Sequence, residues 1–201
     1  MKLTSQPKSL VAFVAAATAL TLSACTINNN AAPAPSSSAS GMMNGGMMGN
    51  EAALSAADIM FLQMMIPHHE QAIEMSKLAV TNTKNTDLLA LAARIEAAQQ
   101  PEIDLMKKLL TDAGQPLLSD HGMGDNGMMG DNDMAMLKAA KDTEFDAMYL
   151  SGMINHHNGA ITMVGGVSDS TNPDVKTLAN NIVSSQTAEI AEMTKLLAAT
   201  S

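Results

Sequence analysis

Asp58-Ile-Met-Phe-Leu-Gln-Met-Met-Ile-Pro-His68-His69 and Asp146-Ala-Met-Tyr-Leu-Ser-Gly-Met-Ile-Asn-His156-His157 are two copies of one pattern, 88 positions apart (156 − 68). The match runs on through Ala72-Ile73 against Ala160-Ile161, and Met75 against Met163. A second match follows each copy: Ile95, Gln99, Glu102, Ile103, Met106 and Leu110 against Ile182, Gln186, Glu189, Ile190, Met193 and Leu197, now 87 apart (186 − 99). In all four segments the apolar residues recur at helical spacing, and no segment alternates as a strand does. Each half is therefore one helical hairpin. A hairpin cannot bury its apolar face alone, so the sequence predicts an all-α fold, a four-helix bundle of two duplicated hairpins.

Boundary signals place the elements. Ser55-Ala56-Ala57-Asp58 fits a capping box, opening a helix that runs to about Val80. A turn leads to a second helix from Thr86 to about Ala113, stopped by Gly114 and Pro116. A short helix is expected from about Asp133 to Lys141. Thr143-Glu144-Phe145-Asp146 then reads as the cap of a long helix ending near Gly165-Gly166. Asn172-Pro173 supplies an N-cap with proline at the first position of a last helix, which reaches about Ala198. Pro67 and Pro101 fall inside helices, where each removes a backbone hydrogen bond and predicts a kink. The hairpins thus occupy 55–113 and 132–199, with a Gly/Met-rich linker over 114–131.

The N-terminus is read as a leader, not as fold. Lys2 and Lys8 precede an apolar run from Leu10 to Leu22, too short to span a bilayer. Leu22-Ser23-Ala24-Cys25 resembles a bacterial lipobox, which implies a signal peptide over 1–24, cleavage before Cys25, lipidation of that residue and a cell-envelope location. Cys25 is the only cysteine. Residues 25–54, rich in Asn, Ala, Pro and Ser and then in Gly and Met, read as a flexible tether. Without Lys2 and Lys8, nine Lys and Arg face twenty Asp and Glu, a net charge of −11, which makes the chain a poor candidate for binding nucleic acid.

Composition points to the chemistry. Aromatics are 2% of the chain, yet there are 19 methionines. A methionine stripe on a helix is ordinary core filling. Met42, Met43, Met47 and Met48, and Met123, Met128 and Met129 beside His121, lie instead in glycine-rich stretches with no core to fill. Exposed thioethers oxidise readily, so capture of a soft metal ion gives them a use.

Both halves keep His68/His156, His69/His157, Met60/Met148, Met65/Met153, Met75/Met163 and Met106/Met193, and also Gln99/Gln186 and Glu102/Glu189. Phe61, Met64, Ala72 and Met75 fall within about 40° of His68 around the helix. Met65–His69 and Met153–His157 are pairs one turn apart, able to close on one ion. Met64–His68 is a third such pair, answered in the other half by Gly152–His156. Thioether with imidazole, without thiolate, suits Cu(I) or Ag(I) better than Mg²⁺, Ca²⁺ or iron. Gln99, Glu102, Gln186 and Glu189 are placed to hold the second nitrogen of a histidine. Since only neutral imidazole ligates, affinity is expected to fall below about pH 6.

The run Met65-Ile66-Pro67-His68-His69-Glu70-Gln71-Ala72-Ile73-Glu74-Met75 and its echo Met153-Ile154-Asn155-His156-His157-Asn158-Gly159-Ala160-Ile161-Thr162-Met163 resemble the DUF305 family. The resemblance covers about residues 55–199. It implies a ferritin-like bundle and copper binding at the histidine and methionine positions, since some members are periplasmic or secreted copper-binding proteins. The expectation is a lipid-anchored, non-enzymatic copper-binding protein that sequesters the metal or hands it over. Its partners would be metal ions, the membrane, and a metal-exchange protein or a second copy. Two alternatives stand beside it. A di-iron oxidase would need four carboxylates and two Glu-x-x-His motifs, and no Glu-x-x-His occurs. A structural or partner-binding envelope lipoprotein would use methionine as an adaptable contact.

Overall fold

A computed structural model describes residues 52–117 and 126–200. The signal peptide, Cys25, Met42, Met43, Met47, Met48, His121 and Met123 lie outside the described residues. Five α-helices follow one another: α1 (Ala56–Asn82), α2 (Thr86–Asp112), α3 (Asp131–Ala139), α4 (Asp142–Val164) and α5 (Pro173–Ala199), with a 3₁₀ turn over Gly165–Val167. There is no strand among the described residues. As the repeat predicts, α1 packs chiefly on α2 and α4 on α5, and the two hairpins meet mainly along α1 and α4. No helix among the described residues is long and apolar enough to cross a membrane.

Local chemistry explains most of the boundaries. Ser55 and Asp58 form the reciprocal capping box at the start of α1. The Asn85 side chain accepts from the Asp87 and Leu88 amides, and Asn172 repeats this at α5 with Asp174 and Val175. At the end of α2, Gly114 takes φ +66°. The Gln115 amide then donates to the Leu110 carbonyl, and the Gly114 amide to that of Thr111, which closes the last turn in a Schellman motif. Both α1 and α2 run unbroken through Pro67 and Pro101.

The expected cap at Thr143 is not formed. α4 begins at Asp142 with no side-chain cap, and Asp142 itself has φ +49°. Asp146, which would complete a capping box there, instead accepts a hydrogen bond from the Asn85 side chain in the other hairpin, at 3.0 Å.

The interior is divided. One apolar cluster joins Phe61, Leu62, Met65 and Ile66 to Ile103, Met106, Val175 and Ile182. The other joins Ala72, Met75, Leu88 and Ile95 to Phe145, Tyr149, Met153 and Met193. Between them each long helix crosses a polar level: α1 at His68 and His69, α2 at Gln99, α4 at His156 and His157, α5 at Gln186, all buried. Burying polar groups in mid-bundle costs free energy unless something satisfies them.

Candidate metal centre

The polar level brings the four helical imidazoles together. The rings of His68 and His156 lie 3.7 Å apart, tilted by 33°. His69 and His157 stand outward of them, at ring separations of 6.5 Å from His68 and 6.3 Å from His156. Adjacent residues on a helix diverge by about 100°. One histidine of each pair therefore faces the opposite hairpin, and the other faces its own. His69 Nε2 donates to Glu102 Oε2 on α2, and His157 Nε2 donates to Glu189 Oε2 on α5, both at 2.8 Å. His68 Nε2 donates to the Asn126 carbonyl at 3.0 Å.

These contacts fix the electronic state of the rings. Carboxylate and carbonyl oxygens accept, so Nε2 carries the hydrogen and, in the neutral ring, the lone pair falls on Nδ1. The Nδ1 atoms of His68, His69 and His157 are buried with no hydrogen-bond partner, as are both ring nitrogens of His156. An imidazole with one nitrogen tied to a carboxylate and the other bare is the arrangement in which histidine binds a metal.

The two glutamines behave differently from the two glutamates. Gln99 and Gln186 are 2% and 1% exposed, yet neither amide has a partner, and neither reaches a histidine nitrogen. Sequence spacing placed all four on the correct faces. It could not tell which side chains are long enough, and correctly turned, to meet the rings.

Burial dominates the titration of the inner pair. It lowers the pKa of His68 to about 4, assisted by the neighbouring His69 and His157 and opposed by the bond to Asn126. It also pushes His156 well below the usual histidine value, with further lowering from His68, His157 and His69. Protonation of His68 is thus moved down to about 4, and that of His156 well below the ordinary imidazole value, because the desolvated interior disfavours imidazolium.

The methionines divide by position. Met65, Met75, Met106, Met153 and Met193 are fully buried in the two apolar clusters that flank the polar level. Met64, Met148 and Met163 are partly buried, and Met60 is 49% exposed. Among the described residues no three His, Asp or Glu side chains converge in reach of one ion. Nitrogen and oxygen donors alone thus make no ready site, and sulfur is the remaining donor. Met128 and Met129 are also half-buried, contrary to the expectation of thioethers with nothing to pack on. Residues 126–130 lie against α4 as a strap. Gln71 holds Met129 at both backbone groups, donating to its carbonyl at 2.9 Å and accepting from its amide at 2.8 Å. The sequence signal that could have found this contact is Gly159, since the Asn126 carbonyl sits where a Cβ on Gly159 would be, 1.6 Å away.

Comparison with known proteins agrees with the architecture. A DUF305 protein from Streptomyces coelicolor, assigned as secreted, superposes with a TM-score of 0.69 at 33% identity, over 72% of this chain and 92% of that one. CopM in its Cu(I)-bound form superposes with a TM-score of 0.60 at 29% identity, over 69% and 93% of the respective chains. CopM is also known in Cu(II)- and silver-bound forms. An uncharacterised protein, L153 of Acanthamoeba polyphaga mimivirus, is 47% identical over 53 residues, which are 26% of this chain and only 35% of that relative. The model of the family described as a domain of unknown function, DUF305, matches residues 58–197, and with that span the chain belongs to the DUF305 family.

Proposed function

We propose that this protein binds soft metal ions outside the cytoplasm, Cu(I) foremost and Ag(I) by the same chemistry, and holds them or hands them on, with no reaction of its own. The observation that carries this reading is the buried polar level. Four imidazoles stand there with bare ring nitrogens, three of them tied to an acceptor on the opposite edge, between two clusters that contain fully buried thioethers. Such a set is costly to bury empty and suits a cation that prefers nitrogen and sulfur. The likeness to CopM, crystallised with copper and silver, supports the same reading. The lipobox at Cys25 and the likeness to a protein assigned as secreted support an envelope-anchored location. A di-iron reading has less to stand on, since among the described residues Glu102 and Glu189 are the carboxylates bonded to the histidines, where such centres use four.

The test is a Cu(I) titration of the mature chain against a chromophoric chelator under anaerobic conditions. Withdrawal of Cu(I) from the chelator by folded protein, well beyond that by the urea-unfolded chain, is expected. Equal withdrawal by both would overturn the proposal.

A further inference from the structure

The internal repeat makes a demand on the α1/α4 pair. A side chain on α1 must have its partner 88 positions later on α4, at the opposite end of the pair. Near one end, Met60 and Met64 of α1 and Met163 of α4 line a cleft whose other walls are Ala57, Phe61 and Val167. The repeat partners of these three methionines are Met148, Gly152 and Met75. At the other end Met148 and Gly152 line a second cleft with Met128, Met129, Ser151, Asn155 and Asp133, and Met75 lies buried behind Gly152. The second copy lacks one thioether, because glycine stands where Met64 has its counterpart.

The strap supplies what the repeat lost. A Cβ on Gly152 would lie 3.1 Å from Met129 Sδ and 3.5 Å from the terminal methyl of Met75. The sulfur of Met129 thus occupies the space into which a methionine at 152 would grow. Gln71 fixes Met129 there by its two backbone hydrogen bonds. Each end of the pair then holds a matching set of three thioethers, one from helices alone and one completed by Met129 of the strap, beside which Met128 adds a further sulfur. Core filling does not explain the first set, since Met60 is 49% exposed at the mouth of its cleft.

We propose that these clefts are two thioether sites for a soft monovalent cation: Met60, Met64 and Met163 in one, and Met75, Met129 and Met148 in the other. In the first, apolar cleft three neutral sulfurs do not compensate a divalent ion for its lost water, whereas Cu(I) and Ag(I) are weakly hydrated and bind thioether well; the second cleft also carries Asp133, Ser151 and Asn155 on its wall, and there the sulfurs favour a soft ion. The sites differ in how they open. The first is built on rigid helices, and the second forms only while the strap is seated. The inference rests on the soft-metal reading above and adds where the ions bind and which residues hold them.

The experiment uses the full mature chain with Ag(I), which needs no reductant, and ¹³C-labelled methionine methyls assigned one by one. Saturation is expected to shift the methyl signals of all six residues. Met64→Leu with Met163→Leu should abolish the shift at Met60 and leave the second cluster responding. Met129→Leu with Met148→Leu should do the converse at Met75. Gln71→Ala, which only frees the strap, should weaken Ag(I) at the second cluster by about tenfold and spare the first. Unshifted methyls at Met60, Met64 and Met163, or at Met75, Met129 and Met148, in saturated wild-type protein would overturn the inference, and this result needs no variant to fold. Ag(I) bound elsewhere with these six silent leaves the soft-metal reading standing. No Ag(I) bound at all removes both.

Discussion

Methionine stands in two settings in this chain, fully buried at Met65 and half-exposed at Met60. Met65 is fully buried in the apolar cluster beside Leu62 and Ile66. Met65→Ala should cost about 2–5 kcal/mol in urea unfolding, while Met65→Leu, which conserves volume, should cost under about 1.5 kcal/mol. Met60→Ala removes a half-exposed side chain and should change stability by no more than about 0.5 kcal/mol. A large stability loss at Met60 would show that it is core after all. The inner histidines set the response to acid. Above pH 6.5 His68 and His156 are neutral in both folded and unfolded chains. Between 6.5 and about 4 the unfolded chain takes up protons that His68 refuses, and His156 refuses them further still. Stability should fall across that window, by up to about 1.4 kcal/mol per pH unit for each imidazole. Urea midpoints of metal-free protein at pH 7, 6 and 5 read the slope, and Asn replacement of both histidines should flatten it.

Among the elements, the strap over 126–130 is the one whose structure matters most to the site. It touches α1 through His68 and Gln71, and α4 at Gly159 and Asn155. A Cβ on Gly127 would fall 2.3 Å from the Asn155 carbonyl, and φ is +79° there, so this position requires glycine. Gly159→Ala should drive the Asn126 carbonyl off α4 and release the His68 hydrogen bond. Hydrogen exchange of the 127–130 amides should then speed up markedly while that of α2 and α5 stays as it was. The helix caps are a simpler case. Asn172→Ala removes two bonds to α5 amides and the one to the Ala52 carbonyl, and a loss of about 1–2 kcal/mol is expected in chemical unfolding. The long helices, their caps and the prolines within them were largely legible, because period and capping are local properties. The cap at Thr143 and the strap were not. Both were decided by contacts with distant residues, Asn85 in one case and Gly159 in the other.

For the whole molecule, the polar level ties the two hairpins into one unit. The tilted rings of His68 and His156 meet across the α1/α4 contact, and the two apolar clusters on either side each draw on both hairpins. A fragment ending at residue 117 should therefore show no cooperative urea transition by circular dichroism, whereas the complete pair should unfold in a single step.

The sequence by itself determined the duplication, the helical class and the pairing of each histidine doublet with a glutamate-bearing partner helix. All of these follow from residue type and spacing along one chain. Tertiary structure alone decided that two imidazoles would meet between the two hairpins, stripped of water, which moves their protonation below the ordinary imidazole range. It alone decided that Gln99 and Gln186 would miss the rings, and that the linker would lay a sulfur into the gap left by Gly152. The reason is that desolvation and close approach depend on what several remote segments bring to one point, which the pattern along a single helix does not encode.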